Sequence, residues 1–129
     1  MEFFYHEIDK EILILSADGG LNAETAAEFV KQLESLVDSG LKKIIVDCSH
    51  LDYISSYGIA VLVRLHKKLA KHGGDVKVAA ARSMVLKALT MMRMGEIFSI
   101  YAEVDQARLS FRAKDAKRAK DGKDAKDAK

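Results

Sequence analysis

The sequence predicts a single α/β domain: a mixed five-stranded sheet, opened by an antiparallel hairpin and continued as parallel β-α-β-α-β, with about four helices. Three observations carry this. Two apolar-rich runs at the start are separated by Asp9-Lys10. From Lys43 onward, short β-branched runs alternate with stretches of helical periodicity. Those helical stretches are long enough for right-handed crossovers between parallel neighbours.

Taken in order, "EFFYHE" and "EILILSA" read as strands near 2–7 and 11–17, the alternation at Ile12 and Ile14 suiting a half-buried ladder. Asn22 offers a helix N-cap, and Ala26, Phe29, Val30, Leu33, Leu36 and Val37 recur at three and four until Gly40. "KKIIVDC" is a short buried strand. After the segment "DYISSYG", Val61, Leu62, Leu65 and Leu69 form an apolar stripe opposite Arg64, Lys67, Lys68 and Lys71, ending at Gly73-Gly74. "DVKVAAA" is the next strand, "SMVLKALTMMRM" a helix opened by Ser83, "IFSIY" the fifth strand and "VDQARLSFRA" the last helix. Periodicity leaves open whether the helices cover one face of the sheet or both.

The 129 residues hold one ordinary domain, assigned to residues 1–112. Residues 113–129 repeat Lys-Asp-Ala-Lys without a large apolar side chain, so a disordered tail or a frayed extension of the last helix is expected. That segment holds 7 of the 21 Lys and Arg and 4 of the 19 Asp and Glu, which leaves 14 against 15 in the body. A near-neutral body has no electrostatic footprint for direct nucleic-acid binding. No apolar run reaches the roughly 20 residues of a membrane-spanning helix, and the start lacks the basic-then-apolar pattern of a signal segment. Both point to a cytoplasmic protein without membrane insertion. The tidy polar outer faces suggest a monomer. The one cysteine, Cys48, lies in an apolar stretch and reads as a small buried thiol.

The chemistry-bearing candidate is the junction "ISSYG". A helix start leaves backbone N–H groups without acceptors, and one serine hydroxyl at the N-cap satisfies one of them. A second serine at the C-terminal end of a strand is either a spare cap or an exposed functional hydroxyl. A nucleophile elbow would require glycine at position 54, where this chain has Ile54. His6, His50, His66 and His72 are scattered, and only His50 falls near these loops, so no catalytic base is evident. No His, Cys or Asp spacing matches a metal site. The expectation is a binding module, with no catalytic residues, metal or cofactor.

The run "IIVDCSHLDYISSYGIAVLVRLHKKLAKHGG" resembles the core of the STAS domain as found in bacterial anti-sigma-factor antagonists. "DGGLNAETAAEFVKQL" is similar to that family's Gly-Glu-Leu-Asp loop and following helix, and the ordered likeness extends through "VKVAAARSMVLKALTMM" to about Leu109. The resemblance implies a STAS-like fold and a phosphorylation switch. The unmodified protein would bind an anti-sigma factor that is also a serine kinase, phosphorylation would release it, and a PP2C-type phosphatase would reset it. Aligned on Gly58, Ser56 falls on the phosphorylated position, and Asn22, Ser55, Ser56, Tyr57 and Gly58 on the partner-binding surface. Ser55 stands where the family often has Asp, Tyr57 where it has a small residue, Ala60 where Gly is common, Asn22 in place of Asp, and Met84 where Pro often follows the strand. Ser55 is expected to shape the loop, and Ser56 both to cap the helix and to carry the switch. The alternative is a STAS scaffold whose serine is not phosphorylated, an accessory subunit of a transporter or sensor complex.

Overall fold

The computed structural model describes residues 4–9, 11–38 and 40–112. The tail and its expected disorder lie outside them. Strand β1 (Phe4–Asp9) pairs antiparallel with β2 (Ile12–Ala17) over all six residues, Phe4 opposite Ala17 and Asp9 opposite Ile12. Strand β1 therefore ends two residues later, and β2 starts one residue later, than the sequence suggests. Glu11 has a φ of 79° in the turn between them.

Beyond β2 the chain forms β3 (Gly19–Leu21), α1 (Ala23–Asp38), β4 (Lys43–Asp47), β5 (Leu51–Ile54), α2 (Ser56–Ala70), β6 (Asp75–Ala79), α3 (Ser83–Met91) and β7 (Ser99–Tyr101). A helix, α4, then covers 104–112. The main sheet runs β1-β2-β4-β6-β7, and every pair after the hairpin is parallel. The mixed five-stranded sheet, the parallel pairing of its last strands and the four helices are as the sequence predicts. Two short strands were not foreseen: β3 and β5 pair in parallel as a separate two-stranded sheet.

Alternation along the strands sorts the core into two layers. Leu13, Leu15, Ile44, Val46, Val76 and Val78 pack with Phe29 and Leu33 of α1, Leu62 and Leu69 of α2, and Val85 and Leu89 of α3. Ile12, Ile14, Ile45 and Ala79 face the other way and pack with Ala107 and Phe111 of α4. The helices thus divide three against one. With helices on both faces, β2 is buried at all six positions, which explains its near-continuous apolar run. Under α4, Lys77 is 3% exposed, its Nζ bonded to Ser110 Oγ and Tyr101 Oη and 4.5 Å from the Phe111 ring centre.

Two ends differ from expectation. Strand β6 stops at Ala79 because Ala80 takes a φ of 59°, outside the β region. Ser83 does not cap α3: it is the first helical residue, with a φ of 39°, and the cap position is held by Arg82 without a side-chain bond.

Cys48 starts the bend from β4 into β5, its N–H donating to Ala79 O at 2.9 Å. Burial, with the Asp47 charge beside it, pushes its thiol up to about 12. The unfolded thiol ionises near 8.5, so the fold holds this proton more tightly and stability is expected to fall as pH rises from about 8.5 toward 12. Cys48→Ala should remove that part of the alkaline loss in urea titrations at stepped pH. Iodoacetamide at pH 8 should label Cys48 only after unfolding, and rapid native labelling would contradict the burial.

Candidate functional site

The site is built where the two-stranded sheet feeds two helices. Strand β3 leaves β2 and strand β5 leaves β4, so parallel neighbours in the main sheet remain neighbours beyond its end. Gly20 stands opposite Tyr53 and Leu21 opposite Ile54. The starts of α1 and α2 are consequently side by side, which brings Asn22, 33 residues away in sequence, next to the Ser55-Ser56 junction.

At the second start, Ser55 has extended backbone angles (φ −81°, ψ 166°), and its Oγ accepts the Gly58 N–H at 3.1 Å. Its carbonyl accepts Ile59 N–H at 3.0 Å, the first bond of the helix. Ser55, not Ser56, is therefore the N-cap, which corrects the expected division of labour. One register step separates the two: only the residue preceding the first helical turn can reach the third N–H. Ser56 is the first helical residue, and it is exposed. Among the described residues its hydroxyl makes no side-chain hydrogen bond.

Gly58 explains why the helix begins so close to β3. A Cβ there would come within 2.8 Å of Leu21 O and 2.9 Å of Ile54 Cγ1, and the same carbonyl accepts Ser55 N–H at 2.9 Å. Gly58 is thus buried within the domain, against Leu21 and Ile54. Tyr57 is 47% exposed beside Ser56.

At the first start, Asn22 Oδ1 accepts the N–H groups of Glu24 (3.0 Å) and Thr25 (2.9 Å), as its predicted capping role requires. Thr25 Oγ1 returns the favour by accepting Asn22 N–H at 2.9 Å and donating to Gly20 O at 2.8 Å. Asn22 Nδ2 donates to Tyr53 Oη at 3.1 Å. Tyr53 is the residue that sequence reasoning missed. Its ring covers Gly20 so closely that a Cβ there would lie 2.0 Å from Cε1. The available signal was the second glycine of the pair upstream of Asn22: Gly19 takes a φ of 95°, whereas Gly20 is kept bare by the Tyr53 ring.

Chemically the junction offers a solvent-facing hydroxyl on the positive end of a 15-residue helix that has no carboxylate in its first turn. Neither Ser55 nor Ser56 has a histidine or lysine partner among the described residues, and no group of three or more His, Cys, Asp or Glu there could hold a metal. No helix among them is long and apolar enough to cross a membrane.

A mixed sheet covered unequally on its two faces, with a capping serine and an exposed one at a strand-to-helix corner, defines a small α/β domain with a polar surface site. The STAS domain family model matches residues 6–107, and the chain belongs to that family. It is 26% identical over 112 residues to a Thermotoga maritima protein named "Putative anti-sigma factor antagonist", spanning 86% of this chain and 99% of that one. The crystal structure of a Thermotoga maritima protein of the same description superposes with a TM-score of 0.81 at 25% identity, covering 84% of this chain and 94% of that one. The Bacillus cell-fate determinant SpoIIAA in its phosphorylated form shares the fold, with a TM-score of 0.67 at 15% identity, covering 84% and 99%.

The cap assignment is testable by stability alone. Ser55→Ala should cost ~0.5–2 kcal/mol, whereas Ser56→Ala should stay within about 0.5 kcal/mol of the parent in urea unfolding. Equal losses, or a larger loss at Ser56, would contradict it.

Proposed function

We propose that the chain is an anti-sigma-factor antagonist in a partner-switching pathway, with Ser56 as its phosphorylated residue. Unmodified, it binds an anti-sigma factor that is also a serine kinase; phosphorylated, it is released, and a PP2C-type phosphatase returns it to the binding form. The observation that carries this is the separation of the two serines: Ser55 does the capping, so Ser56 keeps an exposed hydroxyl that can accept a phosphoryl group without costing the fold a hydrogen bond. The names of similar proteins support the role.

The physical consequence of modification is local. A phosphoserine adds about −1.5 to −2 charge, and at Ser56 that charge meets the free N–H groups and positive end of α2. Its effect therefore falls on a bound partner, where an unpaired buried charge costs ~2–5 kcal/mol, or roughly 30- to several-thousand-fold in affinity.

The test incubates the protein with ATP and each candidate serine-kinase anti-sigma factor from the same genome, followed by intact-mass and phosphopeptide measurement. One phosphoryl group on Ser56 is expected, lost in Ser56→Ala and retained in Ser55→Ala. Ser56→Ala should still bind that kinase, and Ser56→Asp should bind it at least about 30-fold more weakly. Modification at Ser55, or none with any of the kinases, would overturn the switch and leave the scaffold reading.

A further inference from the structure

We infer that Tyr53 is a specificity residue of this surface: its hydroxyl presents a hydrogen-bond donor, aimed by Asn22, to a neutral acceptor on the bound anti-sigma factor. The inference rests on the reading of Ser56 as the centre of that interface.

The argument is one of hydrogen-bond polarity. Both lone-pair directions of Asn22 Oδ1 are taken by Glu24 N–H and Thr25 N–H. Those two bonds fix which end of the side-chain amide is oxygen, so the group facing Tyr53 is the NH2. Tyr53 Oη, 3.1 Å away, is accordingly the acceptor. A phenolic hydrogen lies near the ring plane on one side of the oxygen or the other. With Asn22 donating on one side, the hydrogen takes the other, away from Asn22. Tyr53 is 44% exposed, and among the described residues its hydroxyl proton has no acceptor. Because the ring is seated over Gly20, where not even a Cβ fits, the donor is held on a rigid base and loses little entropy on binding.

Asparagine is what sets this polarity. A carboxylate at position 22 would also cap α1, but its second oxygen could only accept, so the Tyr53 proton would turn inward and the surface donor would vanish. The exposed carboxylates of Glu24 and Asp52, in the segments that carry Asn22 and Tyr53, disfavour an anionic acceptor. A main-chain carbonyl or side-chain amide of the partner fits.

The experiment measures calorimetric affinity of the full chain for the anti-sigma factor that modifies Ser56, without ATP. Tyr53→Phe keeps the ring over Gly20 and should weaken binding roughly 5- to 150-fold, the loss expected when a buried acceptor goes unsatisfied. Asn22→Asp should preserve the cap and stability yet weaken binding similarly, and Tyr53→Phe added to Asn22→Asp should cost less than about twofold more. If Tyr53 were merely structural and Asn22 acted on the partner by itself, the losses of the two single variants would add in the double variant. Binding of Tyr53→Phe or Asn22→Asp within about twofold of the parent overturns the inference. If Ser56→Asp weakens binding in that same experiment, the switch reading survives; if it does not, that reading falls as well. A measurement without partner stands beside it: the Asn22 side-chain amide proton shifts should change in Tyr53→Phe, and unchanged shifts would refute the hydrogen bond itself.

Discussion

The first turn of α2 is pressed against the end of β3, and the rest of the site follows from that contact. The Leu21 carbonyl takes the Ser55 N–H at 2.9 Å and leaves no room for a Cβ at Gly58. With the helix start held there, Ser55 must cap and Ser56 must point its hydroxyl to solvent. The same contact fixes β5 alongside β3, which sets Tyr53 over Gly20 and within reach of Asn22. Two corners of the fold are thereby one surface.

Much of this was legible in the residues, for reasons that differ by element. The crossovers were readable because α1 and α2 bury long stripes with a 3.6-residue period, and because the apolar run Ile44–Val46 and the alternating pair Val76 and Val78 stand between them as strands. Strands β3 and β5 were not, since three or four residues are too few to show a period of two, and Gly19-Gly20 reads as a turn. The exchange of roles between Ser55 and Ser56 was hidden for a sharper reason: both are serine and either could cap, and a single-residue register set by a tertiary contact chooses between them. Ser83 failed as a cap on similar grounds, because the strand before it ends early and the helix begins with a left-handed backbone angle. The opposite-face position of α4 became visible only once Ile12, Ile14 and Ile45 were seen to need a partner.

The arrangement separates what the domain needs to fold from what it can change. Ser55, Asn22, Thr25 and Gly58 spend their hydrogen bonds and their space inside the corner. Ser56, Tyr57 and the Tyr53 hydroxyl remain outside it. A charge placed on Ser56 therefore alters the exposed surface of this corner and leaves the packing beneath it in place.

The most direct test of that separation is the stability of the protein phosphorylated at Ser56, compared with the unmodified protein by urea unfolding at low ionic strength. Because the phosphate lies at the N-terminal end of α2, the unfolding free energy is expected to be unchanged or to rise by ~0.3–1 kcal/mol, with the rise screened by salt. A loss of more than about 1 kcal/mol would contradict it, showing that Ser56 supports the fold and that modification acts by disrupting it.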